Sequence, residues 1–136
     1  MQRTNEYLAL IESAKKAAQS SYAPYSKQLQ GAALLAADGK VFSGSKMECA
    51  AYGGTVAAET AALTAAITAG KRKFVAIALH PAEFPCGSSR QMLAEFGINL
   101  DIVLEKESGE GADDAAFSVS PLSELLPLHF GPENLT

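Results

Sequence analysis

Residues 31–44 read GAALLAADGKVFSG, two apolar runs on either side of Asp38-Gly39. An Asp-Gly pair between apolar runs is a strong signal for a β-hairpin, because both residues tolerate the positive φ angles of tight turns. Residues 31–37 therefore predict one strand, and residues 40–44 predict its antiparallel partner. The hairpin supplies the first two strands of a sheet.

Helical and strand patterns alternate on both sides of the hairpin. Before it, apolar residues at helical spacing predict a helix that starts near Thr4 or Asn5 and stops before Pro24, which lacks a backbone N–H donor. After it, the patterns predict a helix over 55–69 capped by Thr55, a strand over 74–80, a helix over 88–96, a strand over 100–104, a charged loop over 105–115, a strand over 116–119 and a short helix over 120–126. This order predicts an α/β chain of three layers, with helices on both faces of a mixed sheet of about five strands, in one domain over residues 1–136.

The composition excludes several classes of protein. With 48% hydrophobic and 19% charged residues among 136, the chain is typical of an ordinary globular domain. A net charge of −4 without a basic run counts against nucleic-acid binding, and no apolar stretch reaches the roughly 20 residues that a membrane span needs. Two cysteines, Cys49 and Cys86, do not make a disulfide framework, and the polar N-terminus is not typical of a signal peptide, so we expect a cytoplasmic protein.

Four stretches of the chain together resemble one known family. The stretches are YAPYSK at 22–27 with GAAL at 31–34; DGKVF at 38–42 with Gly44, Glu48, Ala50 and Tyr52; AE at 58–59; and PCG at 85–87 with Arg90, Gln91, Glu95 and Phe96. In this order and spacing they are similar to the small, tetrameric cytidine deaminases, and the similarity covers nearly the whole chain. The resemblance implies a cytidine deaminase-like fold, a nucleoside-like ligand and a homotetramer with its pockets at subunit interfaces.

Zinc deaminases hold their metal with a characteristic set of residues. A His or Cys lies two positions before a proton-shuttling Glu, and a Pro-Cys-x-x-Cys motif follows later. The resemblance places these positions at Ala57, Glu59, Cys86 and Ser89. Ala57 offers no metal ligand, and the neutral Ser89 hydroxyl is a poor zinc ligand beside a thiolate. Thr60 also replaces an arginine that lies close to the zinc thiolates in tetrameric members, so we expect a degenerate site that holds no metal and therefore no cofactor.

The resemblance also assigns residues to a ligand pocket. They are Gln28, Lys46, Glu48, Tyr52, Ala58 and Phe130. Gln28 and Lys46 replace a Phe near the pyrimidine and an Asn that bonds the ribose, whereas Glu48 keeps a ribose-contacting residue. Phe130 matches a C-terminal Phe that reaches into a neighbouring subunit's site. Lys46 brings a cation to this pocket, where it pairs with Glu48, pairs with Glu59 or binds an anionic ligand, and the sequence leaves these options open.

Glu59 alone cannot replace a metal ion. Its reference pKa is near 4.3, against about 15.7 for water, so the mismatch is about 11 pK units or roughly 15 kcal/mol. Burial raises a carboxyl pKa by several units and leaves most of that gap. The main interpretation is therefore a cytidine deaminase-like protein that binds a nucleoside-like ligand or a partner without zinc-dependent deamination.

Two alternatives remain. One is an enzyme with altered, metal-independent chemistry on a nucleoside-related substrate, using Glu59, Cys86 and Lys46. Cys86 precedes a predicted helix, whose N-terminus favours a thiolate nucleophile, although an inert relic of the zinc site is the simpler interpretation. The other alternative is a true cytidine or nucleoside deaminase with an unusual metal site. His80 and His129 are the other good zinc ligands, and His80, at a strand end, is the better placed, although a surface role is commoner for such a residue.

Overall fold

The computed structural model describes residues 2–107 and 116–136. Its helices and strands, in chain order, are α1 (Gln2–Ala18), β1 (Gly31–Ala36), β2 (Val41–Ser45), α2 (Ala58–Thr68), β3 (Phe74–His80), α3 (Gly87–Ala94), β4 (Asp101–Glu105), β5 (Phe117–Pro121) and α4 (Leu122–Leu125). These strands form a mixed sheet in the order β2-β1-β3-β4-β5, in which β3 and β4 run parallel and the other neighbours run antiparallel. None of the helices in these ranges is both long and apolar enough to cross a membrane.

The sheet lies between two layers of helices because its central strands carry small and aliphatic residues on both faces. On β1, Ala33 and Leu35 pack in a core with Tyr7 and other residues of α1. Ala32 and Leu34 pack in a second core with the apolar residues of α2, α3 and α4. Successive strand residues point to opposite faces, and this alternation separates the two cores. The predicted three-layer α/β fold with a mixed sheet is confirmed.

The hairpin between β1 and β2 forms at the predicted position. The Ala36 N–H donates to the Lys40 carbonyl oxygen (2.8 Å), which leaves residues 37–39 as the turn. Gly39 takes φ +93°, a left-handed conformation that glycine adopts without a steric penalty. The loop thus contains three residues, a common hairpin type whose last position favours glycine.

Several helices and strands differ from the predicted bounds, and the largest differences are at α2, α3, β5 and α4. α2 begins at Ala58, because the Thr55 hydroxyl, predicted to cap it, instead accepts a hydrogen bond from the Cys49 N–H (3.2 Å). α3 ends at Ala94 and β5 extends to Pro121, so α4 follows the last strand directly. Of the predicted charged loop over 105–115, residues 108–115 lie outside the described residues.

Gly31 and Gly44 let the two helix layers touch the backbone of the hairpin. A Cβ atom on Gly31 would lie 2.1 Å from the Ala14 carbonyl oxygen of α1. One on Gly44 would lie 2.2 Å from the Ala58 carbonyl oxygen of α2. Non-bonded carbon atoms prefer separations of about 3.5–4.0 Å, so neither position has room for a side chain. Because Ala58 immediately precedes Glu59, the contact at Gly44 fixes where the start of α2 lies.

Replacing Gly44 by alanine should force α2 away from β2. The clashing atoms belong to helix backbone, which cannot move aside as a flexible side chain does. We expect Gly44→Ala to lower the free energy of unfolding by about 1–3 kcal/mol, measured by urea unfolding. Gly53→Ala is the matched control, because nothing lies within 4 Å of a Cβ at that position. Equal stability of the two variants would contradict the close packing at Gly44.

Candidate active site

A cavity of about 230 Å³ lies where the carboxyl end of β3 meets the starts of α2 and α3. Its lining residues are Gln30, Gly31, Ala57, Glu59, Leu79, His80, Pro81, Glu83, Phe84 and Cys86. The fold therefore brings Ala57, Glu59 and Cys86, three residues that the sequence singled out, to one cavity.

Glu59 is the buried acid of this cavity. It lies in the first turn of α2, where the helix dipole favours a negative charge, and only 8% of its surface is exposed. Within residues 2–107 and 116–136, no donor forms a hydrogen bond or an ion pair with its carboxylate. The carboxylate is thus available to a ligand in the cavity.

Cys86 lies on another side of the same cavity, as the N-cap residue of α3. Its thiol donates to the Ser89 Oγ over 3.6 Å. The backbone N–H of Ser89, followed by the Ser89 hydroxyl, holds the pKa of the Cys86 thiol below its ordinary value, while burial and the Glu59 charge oppose this. A lower thiol pKa increases the thiolate fraction, and the thiolate is the form that binds metals and attacks electrophiles.

Arg90 anchors the loop that carries Cys86. Its Nε donates to the Pro85 carbonyl oxygen (2.7 Å), and its Nη1 donates to the Leu125 carbonyl oxygen (2.8 Å). One side chain of α3 thus joins the residue before Cys86 to the end of α4. These two hydrogen bonds from the charged Arg90 guanidinium hold the Cys86 thiol at the start of α3.

A second group of polar residues surrounds Glu48. Its Oε1 accepts hydrogen bonds from the Tyr25 and Ser26 N–H groups, at 3.1 Å each, and its Oε2 accepts one from the Ser26 hydroxyl. The Lys46 Nζ lies 3.4 Å from Oε2, and the two side chains are 9% and 10% exposed. The Ser26 hydroxyl is the main cause that lowers the pKa of Glu48 from 4.5 to about 2. Of the options for Lys46, the structure shows the pair with Glu48; we call Tyr25, Ser26, Lys46 and Glu48 the Glu48 cluster.

The Glu48 cluster borders a second cavity of about 420 Å³. Its lining residues are Tyr25, Ser26, Glu48, Tyr52 and Thr55. The rings of Tyr25 and Tyr52 meet edge to face, with their centroids 6.4 Å apart. Gln30, which lines the first cavity, is joined to the Glu48 cluster, because its carbonyl oxygen accepts a hydrogen bond from the Lys46 N–H (3.1 Å).

Four predicted ligand residues line neither cavity: Lys46, which pairs with Glu48 behind the second one, and Gln28, Ala58 and Phe130. Ala58 is buried in the core at 1% exposure. The exposed Gln28 donates its backbone N–H to the Ser26 Oγ (3.0 Å). Phe130 is 59% exposed, and its carbonyl oxygen accepts from the Gln91 Nε2 (2.8 Å). Within one chain, these residues therefore lie outside both cavity linings.

The two histidines differ in their position relative to the first cavity. His80 lines the first cavity, as its place before the loop indicated, whereas the His129 Nε2 lies 3.2 Å from a Glu133 carboxylate oxygen. Sequence reasoning missed Glu83 and Phe84, which line the first cavity from the loop after β3. Their position between β3 and Cys86 was the available signal, because that loop must pass the site.

Comparison with known proteins identifies the family. Residues 1–79 match the model of the cytidine and deoxycytidylate deaminase zinc-binding region, which is more than half of the chain. The chain belongs to the cytidine deaminase family. A cytidine deaminase of Sporosarcina psychrophila is 36% identical over 132 residues, which cover 93% of each protein. One of Halalkalibacterium halodurans is 38% identical and covers 93% of this chain and 95% of its own.

Solved structures of the cytidine deaminase family agree with this assignment. The cytidine deaminase from Burkholderia pseudomallei superposes with a TM-score of 0.80 at 42% identity, covering 90% of this chain and 98% of that one. The cytidine deaminase from Mycobacterium tuberculosis gives a TM-score of 0.78 at 34% identity, covering 92% and 97%. The cytidine deaminase-like fold predicted from the sequence is thus confirmed.

The family comparisons contradict three linked expectations. These are the degenerate zinc site, the absence of a cofactor, and binding of a ligand or partner without zinc-dependent deamination. Relatives that are 36–42% identical over 90–93% of this chain are named cytidine deaminase, and the matched family region is a zinc-binding one. The expectations depended on the side chains at Ala57 and Ser89, whereas the comparisons use nearly every residue. Zinc is therefore the cofactor that the family implies.

The family's zinc site needs three protein ligands, and one chain offers fewer good donors than that. At the family's ligand positions the structure has Ala57, Cys86 and Ser89, of which the Cys86 thiolate is a good zinc ligand. In the described part of the chain, no three His, Cys, Asp or Glu side chains come close enough to share a metal ion. This donor set does not fit the three-ligand arrangement, although Cys86 and Glu59 lie in one cavity as the family pattern requires.

The lowered pKa of Glu48 predicts a loss of stability in acid. Because the folded-state pKa is depressed, the carboxylate stabilises the fold fully above pH 4.5. This contribution to the free energy of unfolding is lost as the pH falls toward about 2. Urea unfolding from pH 6 down to about pH 2 measures this effect. Glu48→Gln should flatten the decline, whereas Glu6→Gln, an exposed carboxylate of α1, should leave it unchanged. Equal pH dependence in wild type and Glu48→Gln would contradict the prediction.

Proposed function

We propose that this chain is a nucleoside deaminase that converts a cytosine nucleoside and water into the corresponding uracil nucleoside and ammonia, with a metal site that departs from the family pattern. The family assignment and the near full-length similarity to proteins named cytidine deaminase support this function. The observation that carries it is Glu59, a buried carboxylate without a protein partner among the described residues.

Glu59 has the properties of the proton-transfer group that deamination needs. The reaction takes a proton from water and delivers one to the leaving nitrogen, and one carboxyl group within hydrogen-bond reach of both can do so. Glu59 lines the cavity at the start of α2, and no side chain in residues 2–107 or 116–136 binds its carboxylate. Gln30 and His80 line the same cavity and supply polar contacts for the ring of a bound base.

The surface of the chain supports a further part of this proposal, a homotetramer of the family type. Tyr52 is 78% exposed, Phe130 is 59% exposed and Leu128 is fully exposed. Large apolar side chains that form an exposed patch are typical of an interface between subunits. Assembly would cover these side chains and would bring residues of a neighbouring copy toward the site.

A deamination assay combined with elemental analysis tests the proposal. Purified protein is incubated with cytidine and 2′-deoxycytidine, uracil nucleoside and ammonia are quantified, and zinc is measured in the same sample. We expect turnover by the wild type and a decrease in kcat of roughly 10²–10⁴-fold in Glu59→Gln, because that substitution removes the proton-transfer group.

Glu6→Gln is the control for this assay, because Glu6 is an exposed carboxylate on α1, away from both cavities. It should retain the wild-type rate. Folding of Glu59→Gln is checked by circular dichroism before rates are compared. A folded, metal-supplemented wild type that forms no product from either nucleoside, or a fully active Glu59→Gln variant, would refute the proposal.

A further inference from the structure

A third cavity, of about 480 Å³, lies at the amino ends of β3 and β4. Phe74 and Val75 at the start of β3 line it, whereas Leu79 and His80 at the end of β3 line the cavity of Glu59. A strand rises about 3.3 Å per residue, so the two cavities lie on the order of 15 Å apart along the sheet. The third cavity is therefore separate from the candidate active site.

Part of the wall of the third cavity is apolar. Leu34, Leu63 and Leu93, all buried, line it. Phe74 and Phe96 line it as well, and their rings meet edge to face with the centroids 5.7 Å apart. Pockets that bind small molecules typically combine such a wall with a few polar groups, in a volume of about 300–1,000 Å³. The wall suits the aromatic body of a small ligand, because rings pack favourably on other rings.

Lys73 supplies this cavity with a cation that has no partner in the described chain. The two basic residues before it are both engaged elsewhere. The Lys71 Nζ lies 2.6 Å from an Asp38 carboxylate oxygen. The Arg72 Nη1 donates to the carbonyl oxygens of Ile67 (3.1 Å) and Lys71 (2.8 Å). Within residues 2–107 and 116–136, the Lys73 side chain forms no hydrogen bond or ion pair, and it lines the third cavity.

Arg3 of α1 brings a second cation to the third cavity. Its guanidinium carbon lies 6.0 Å from the centroid of the Tyr7 ring. Asp101 is the acidic residue of the described lining, and its carboxylate accepts a hydrogen bond from the Tyr7 hydroxyl (2.7 Å). The described lining thus carries two cations and one anion, although the whole chain has a net charge of −4. Arg3 and Lys73 are both exposed, so a ligand entering from solvent meets a local positive charge.

We propose that the third cavity binds a small aromatic anion. Its ring packs against Phe74 and Phe96, and its charged group, a phosphate or a carboxylate, pairs with Lys73 and Arg3. The planar fork of an arginine matches either oxyanion, and a lysine adds a mobile point charge. The third cavity and the cavity of Glu59 lie at opposite ends of β3, so this site does not depend on the proposed deamination.

NMR titrations with phenyl phosphate and with benzoate test this site. We expect saturable amide shifts at Lys73, Gly97 and Asn99, which line the third cavity, and none at Glu59 or His80. Dissociation constants on the order of 1 mM are expected for probes of this size. The probe that binds more tightly identifies the favoured charged group. Benzyl alcohol lacks the charge and inorganic phosphate lacks the ring, so each should bind about tenfold more weakly or worse.

Variants of the two cations assign the charged group to its partners. Lys73→Gln should weaken phenyl phosphate about threefold, and the double variant Arg3→Gln with Lys73→Gln about tenfold, because exposed charge pairs are each modest in strength. Arg72→Gln is the matched control, since it removes a neighbouring exposed cation that does not line the cavity, and it should keep the wild-type dissociation constant. All three side chains are exposed, so the variants should fold, which circular dichroism checks.

Several results would overturn the proposal. These are no saturable shift with either probe up to about 10 mM, shifts centred on Glu59, equally tight binding of benzyl alcohol or inorganic phosphate, or an unchanged dissociation constant in the double variant. Displacement of the probe by cytidine would also overturn it, because the two ligands would then share one site. The titrations involve no turnover, so their failure and a failure of the proposed deamination are separate results.

Discussion

The close contact between the hairpin backbone and the two helix layers, at Gly31 and Gly44, determines the geometry of this molecule. At both positions the helix backbone takes the place that a side chain would need. The contact at Gly44 holds Ala58, and therefore Glu59, against the sheet, while Gly31 itself lines the cavity that Glu59 faces. The position of the acid thus follows from packing of backbone on backbone, which allows less adjustment than packing between side chains.

Local sequence signals predicted the strands of the sheet and the helices beside it. They did not predict where several of these elements begin or end. Asp38 and Gly39 indicated the hairpin, because the turn geometry is encoded by the residues of the turn itself. Thr55 indicated a helix start that does not form, because its hydroxyl is taken by a loop N–H that only the folded chain brings near. The same limit applies to the site. Ser26 and Glu48 are far apart in sequence, and their hydrogen bond is a tertiary contact that no spacing rule reveals.

The candidate site shows what a motif does and does not determine. The motif includes Glu59 and Cys86, and the structure places both beside one cavity, each at the start of a helix. The inference from Ala57 and Ser89 to a lost activity was wrong against the family comparisons, which draw on the whole chain. Side chains at two ligand positions define which metal donors one chain offers. They do not by themselves exclude the activity for which near full-length relatives are named. Metal content and turnover therefore have to be measured separately.

Three chain segments meet beside the Glu48 cluster, and their hydrogen bonds affect how a ligand binds there. Tyr22 exchanges backbone hydrogen bonds of 2.8 Å with Lys46 and Glu48, and Met47 exchanges bonds with Val56. The loops after α1 and after β2 are thereby tied to each other without any ligand. A ligand that enters between them meets walls that are already ordered, so little conformational entropy is lost on binding. Such a preorganised entrance favours fast association with rigid ligands and gives the loops little freedom to adapt to larger ones.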